Sequence, residues 1–137
     1  MFAGGAPFPR EAFWFTQTPG KTLYVTEGSD AALEWDYSAV NKEADLRRIK
    51  WSVYNKTEGD YYPLAVEYPH GTVKLNSAIP QEYDGRIKKE GRATFVIKGV
   101  SFKHSNHFKC TLEGKQGVAE ISNTTELVVT GAVCFIK

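Results

Sequence analysis

The chain has 137 residues, 42% of them hydrophobic and 24% charged, a balance that fits one ordinary globular domain and argues against disorder. Its net charge of +1 gives no electrostatic reason to expect nucleic acid or an anionic membrane as partner. Two cysteines, Cys110 and Cys134, are too few for a disulfide-stapled miniprotein, and neither lies in a CxxC.

Residues 1–12 contain Gly and Pro and read as a loose N-terminal segment. They lack the charged stretch followed by an apolar stretch that marks a signal peptide. From residue 13 onward, short apolar runs alternate with turn residues. The first three occupy 13–17, 22–26 and 31–37, separated by Pro19-Gly20 and Glu27-Gly28. Residues 41–48 have helix-forming composition but are short and uncapped, so a loop or single turn is expected. Further runs follow at 48–54, 64–68, 72–75, 86–88, 93–100, 108–112 and 126–129. Breakers such as Glu58-Gly59, His70-Gly71, Asp84-Gly85 and Glu90-Gly91 lie between them. Many short strands with regular turn signals predict an all-β sandwich or barrel over residues 13–131. Residues 132–137 are left as a tail. The apolar ending either starts a longer hydrophobic segment or closes an edge strand, and the second reading is preferred. No run of about 18 apolar residues occurs.

The stretch DAALEWDYS, residues 30–38, carries the clearest alternation. Ala31, Leu33, Trp35 and Tyr37 share one parity and are expected inside. Asp30, Glu34 and Asp36 share the other and are expected to face water.

The order of features resembles an immunoglobulin V-set domain. VTEGSDAALEWDYS is similar to that family's strands A′ and B, and RIKWSVY to strand C with its core tryptophan at Trp51. YDGRIKKEGRATFVIKGV resembles strands D and E, with Arg86 at the strand D arginine and Phe95 at an apolar strand E position. HSNHFKCTLE resembles strand F with its cysteine at Cys110, and NTTELVVTG the end of strand G. The interval from Asn55 to Asp84 has room for strands C′ and C″. The resemblance implies an all-β, immunoglobulin-like V-set sandwich of about nine strands in two antiparallel sheets.

Three departures stand out. Trp35 occupies the place of the family's strand B cysteine, so the usual inter-sheet disulfide cannot form. A large indole there is expected to fill the space between the sheets, opposite Cys110 and beside Trp51. Burying it is worth on the order of 3 kcal/mol, comparable with the roughly 2–4 kcal/mol of a disulfide. Phe108 replaces the tyrosine of the family's tyrosine corner. His104 replaces the aspartate that pairs with the strand D arginine, which leaves Arg86 without that partner unless another acid substitutes. The expected core signature is Trp35, Trp51, Phe95, Phe108 and Cys110.

Chemistry-bearing patterns are weak. His104, His107 and Cys110 have a spacing that suggests a metal, but on a strand His107 points away from Cys110, so no metal is expected. A cysteine nucleophile needs a partly exposed thiolate, whereas Cys110 is expected in the core. A bridge to Cys134 is not expected, because that residue lies beyond the end of strand G. No GxSxG, GxxxxGK[ST] or GxGxxG occurs, and neither an enzyme nor a cofactor is expected. Two sequons, Asn55-Lys56-Thr57 and Asn123-Thr124-Thr125, are candidate N-glycosylation sites. Asn55, at a polar loop, is the better acceptor.

The resemblance implies recognition by an extracellular or cell-surface domain. The expected partner is a protein, either a second copy or another immunoglobulin-superfamily surface protein, as in invertebrate cell-surface and allorecognition-type domains. Any membrane attachment is expected from flanking segments. Family members often bind through the G-F-C-C′ sheet face. By parity that face presents Lys50, Ser52 and Tyr54 from strand C and Lys109, Thr111 and Glu113 from strand F. Glu120 comes from strand G, and Tyr62 and Glu67 from C′. The alternative is a structural spacer module of a larger receptor or matrix protein with no ligand of its own.

Overall fold

The structure is a computed structural model that describes residues 8–132. Within them the strands are β1 (Phe13–Gln17), β2 (Thr22–Thr26), β3 (Ala31–Leu33), β4 (Asp36–Ala39), β5 (Leu46–Asn55), β6 (Asp60–Glu67), β7 (Val73–Leu75), β8 (Ile87–Glu90), β9 (Thr94–Ile97), β10 (Asn106–Gly114) and β11 (Ile121–Thr130). One layer is a six-stranded sheet in the order β2-β11-β10-β5-β6-β7. The other holds β3-β9-β8, with β4 continuing past β3 to pair with β1. All ladders are antiparallel except β2 on β11. The all-β sandwich expected from the alternating runs is what forms, because each run hides one parity against the opposite layer.

The run 31–37 is one strand by pattern and two in structure. The Trp35 N–H donates to the Leu33 carbonyl at 3.1 Å, a tight turn that breaks the ladder. β3 therefore pairs with β9 and β4 with β1. The alternation survives the break, and Ala31, Leu33, Trp35 and Tyr37 are all buried. Phe95, Phe108, Trp51 and Cys110 are buried with them. Trp51 stacks on Phe95 with ring centroids 5.9 Å apart, and its indole N–H donates to the Ala93 carbonyl at 3.0 Å. Burial pushes the Cys110 thiol far up.

Three expectations need correction. Residues 10–12 are not loose. The Arg10 N–H donates to Gly117 O and its carbonyl accepts from Ala119 N–H, both at 2.8 Å, while Ala12 is buried. The single turn at Lys42–Asp45 is capped after all, since the Asn41 side chain accepts from Ala44 N–H at 3.1 Å. β11 is no edge strand but lies between β2 and β10. Among the described residues Arg86 has no acid partner, as His104 in place of the family's aspartate implies. Its guanidinium donates to the carbonyls of Lys98 at 3.1 Å and Gly99 at 2.7 Å, and the positive φ of Gly99 turns the chain there.

His104 is a turn histidine, but a buried one. Its Nδ1 accepts from Ser101 N–H at 2.9 Å and its Nε2–H donates to the Glu82 carbonyl at 2.6 Å. That pattern fixes a neutral ring with the proton on Nε2. The ring sits 5.3 Å from Tyr83, which meets Phe108 edge-on at 6.2 Å. Cys134 lies outside the described residues, and with it the expectation that no bridge to Cys110 forms.

Candidate functional site

The candidate residues converge on the outer face of the six-stranded sheet. In β10 the residues Phe108, Cys110 and Leu112 point into the core, so His107, Lys109, Thr111 and Glu113 point out. The register sets Lys109 opposite Ser52 and Thr124, Thr111 opposite Lys50 and Ser122, and Glu113 opposite Arg48. His107 is exposed while Cys110 is inside, so the two do not share a side of β10.

At one end of this face a carboxylate is clamped. Glu113 accepts from Arg48 Nε at 2.5 Å and pairs with Lys50 Nζ at 3.2 Å. Burial alone would raise the Glu113 carboxyl. Hydrogen bonds from Arg48 and Lys50 outweigh it and hold the carboxyl below its usual range. At the other end lies an aromatic cluster. Tyr54 and Tyr61 are opposite each other on β5 and β6, with rings edge to face at 5.4 Å. Lys109 Nζ sits 4.3 Å over the Tyr61 ring. To reach it, the lysine side chain crosses β5 above Ser52. Burial, with a smaller contribution from Tyr54, raises the Tyr61 phenol.

Of the residues expected on this face, Lys50, Tyr54 and Lys109 are on it and half-buried. Ser52, Thr111 and Glu113 are on it by parity, yet they are buried rather than available as a contact surface. Short side chains between long cationic ones form the floor of the face, and Glu113 is enclosed by its own partners. Glu120 is exposed, but it lies before β11 begins. Tyr62 and Glu67 are not on this face. A bulge after Trp51 inserts one extra residue in β6, so Tyr62 pairs with inward Val53 and Glu67 with inward Ile49. The Tyr62 hydroxyl donates to the Ala78 carbonyl at 2.9 Å, and Glu67 pairs with Lys89 of β8 in the opposite layer at 2.7 Å. Tyr61 takes the outward place on β6, and Arg48, of the same parity as Lys50, stands on this face as well.

The three acids of the 30–38 stretch are separately occupied. Asp30 accepts from Gly99 N–H at 3.0 Å, Glu34 from the Gln17 amide at 3.0 Å and Asp36 from Arg92 Nε at 2.9 Å. Of the two sequons, Asn123 points between the layers, and its amide oxygen accepts from the Trp35 indole N–H at 2.8 Å. Asn123 thus stands on the core side of β11, where the sequence pattern predicts that a neighbouring strand or the core crowds it. Asn55 ends β5 at the turn into β6, with its amide oxygen accepting from Thr57 N–H at 2.9 Å and Glu58 N–H at 3.3 Å.

Neither protein-family models nor the sequences of characterised proteins match this chain. Solved structures do. Murine CRIg is similar with a TM-score of 0.67 and 17% identity over 86% of this chain and 98% of its own. The tandem V-type regions of the v-region-containing chitin binding protein VCBP3 reach 0.67 and 21% identity over 93% of this chain, which spans 48% of that two-region chain. The extracellular domain of the voltage-gated sodium channel beta4 subunit, described as a parallel homodimer with a role in cell–cell adhesion, reaches 0.59 and 19% over 82% of this chain and 92% of its own. On these likenesses and the observed sheet order, the chain has the fold of an immunoglobulin V-type domain.

Proposed function

We propose that this is an extracellular recognition domain that binds protein through the outer face of β11, β10, β5 and β6, and that its partner is a second copy of the chain. The observation that carries the reading is the Tyr54–Tyr61–Lys109 cluster. Two half-buried tyrosines held edge to face, with a cation over one ring, present rigid aromatic area at low entropic cost. The enclosed Glu113 fixes Arg48 and Lys50 at the other end of the same face, so a two-fold arrangement sets cations of one copy against tyrosine rings of the other. The beta4 subunit offers an analogy for such homodimers on this fold, and the analogy carries no residue-level correspondence.

Bead aggregation with immobilised domain tests the reading. Wild-type beads are expected to aggregate, and Tyr54→Ala with Tyr61→Ala and Lys109→Ala to abolish aggregation while circular dichroism stays native. Wild-type beads that stay dispersed contradict homophily. Aggregation that survives the triple substitution contradicts this face and strengthens the spacer reading.

A further inference from the structure

A cleft of about 460 Å³ opens beside the turn between β5 and β6. Val53, Tyr54 and Tyr62 line it on one side, and Glu82, Tyr83 and Lys103 on the other. Asn55 and Thr57, the first and third residues of the Asn-Lys-Thr sequon, lie on its rim. We propose that Asn55 carries N-linked carbohydrate and that its first sugars fold back into this cleft. The inference rests on the extracellular reading above, because attachment requires the secretory route.

Local geometry prepares the acceptor. The Asn55 amide oxygen is held by the backbone N–H groups of Thr57 and Glu58, which fixes the carboxamide plane. That leaves Nδ2, the atom that reacts, on the opposite edge of the amide. The bond forms between Nδ2 and the anomeric carbon of a polyprenyl-pyrophosphate-linked oligosaccharide. The anomeric C–O bond breaks, the lipid pyrophosphate leaves with the bonding pair, and Nδ2 gives up one proton. Asn123 instead shares the inward side of β11 with buried Thr125 and Leu127, so carbohydrate on its Nδ2 would meet the core.

The cleft suits a sugar in size and in chemistry. Its volume falls within the roughly 300–1,000 Å³ of small-ligand pockets. Tyr62 brings aromatic surface against which the C–H face of a pyranose packs. Glu82 and Lys103, both exposed, bring an acceptor and a donor for hydroxyl groups. Tyr54 belongs both to the cleft and to the recognition face. Carbohydrate seated here would mark the limit of that face at the β5–β6 turn.

The test uses the full chain secreted from eukaryotic cells behind a leader peptide. Peptide mapping is expected to find Asn55 modified and Asn123 bare. Backbone hydrogen exchange across residues 81–84 is expected to be slower than in Asn55→Gln, and the protection to be lost when an endoglycosidase trims the chain to a single sugar. A bare Asn55 in folded secreted protein overturns the proposal, as does a modified Asn55 with exchange at 81–84 equal to that of Asn55→Gln. Chain retained inside the cells overturns this proposal and the extracellular reading together. Bead aggregation of Asn55→Gln, read separately, reports on recognition alone. Aggregation with a bare Asn55 in the secreted wild type sinks only the carbohydrate proposal, and dispersal with a modified Asn55 sinks only homophily.

Discussion

The indole of Trp35 donates its N–H to the amide oxygen of Asn123 at 2.8 Å, and Asn123 stands directly opposite Cys110 across the β10–β11 ladder. The bond joins the two layers one strand away from the thiol that an inter-sheet disulfide would use. Where a covalent staple is missing, a buried ring and a satisfied donor link the layers instead. An unsatisfied indole N–H here would cost about 1–3 kcal/mol, so the asparagine is as much a part of the substitution as the tryptophan.

Trp35→Ala is expected to cost about 3–5 kcal/mol, through lost burial and a cavity, enough to unfold a domain of ordinary stability. Trp35→Phe and Asn123→Ala are each expected to cost about 1–3 kcal/mol, since each strands one buried polar group. Urea melts of the two singles and the double should show a coupling energy of about 0.5–3 kcal/mol. Strict additivity would mean the hydrogen bond does not join the layers.

Cys110 is expected to behave as a small apolar residue. Its thiol is enclosed and its ionisation suppressed, so a thiol reagent at mildly alkaline pH should leave it unlabelled until denaturant is added. Peptide mapping reads this residue apart from Cys134. Cys110→Ala should cost roughly 1 kcal/mol. Rapid labelling in the native state would place the thiol outside the core.

Acid should weaken the domain through Glu113. Its carboxyl is held below its ordinary range in the folded state, so the stability it contributes is present above its unfolded value near 4.3 and is lost as pH falls through the folded value. Asp45, held low chiefly by its hydrogen bond from Arg10, acts in the same direction. Glu113→Gln should cost about 1.5–3 kcal/mol at neutral pH and flatten the loss of stability below pH ~4. A variant with the wild-type acid profile would show that the clamp with Arg48 and Lys50 is not formed in solution.

His104→Ala is expected to cost about 2–3 kcal/mol, because Ser101 N–H and the Glu82 carbonyl both lose their partner. Nitrogen NMR of the imidazole should show the neutral tautomer protonated at Nε2. A ring protonated at Nδ1 instead would contradict the assigned bonds.

Much of the architecture was legible because burial acts on parity. Ala31, Leu33, Trp35 and Tyr37 kept their face through a broken strand, since the core fixes side-chain direction more firmly than the ladder fixes pairing. The face of β6 was not legible. On a regular strand Tyr62 and Glu67, five residues apart, would face opposite sides. The extra residue between them puts both inward and leaves Tyr61 outward, and a bulge leaves no residue signature in this stretch. Depth was equally hidden. Ser52 and Thr111 have outward parity, but whether an outward residue is reachable depends on which long neighbours lie across it. Arg86 and His104 were read as an unpaired couple because pairing was sought among side chains, whereas both are satisfied by backbone groups.

Sedimentation equilibrium of the purified domain at rising concentration tests the proposed recognition face most directly. Self-association that weakens on Tyr61→Ala and on Lys109→Ala, but not on Tyr62→Phe at the inward position, is the result this account predicts. A wild-type domain that stays strictly monomeric throughout, or one whose association is indifferent to Tyr61 and Lys109, would contradict it.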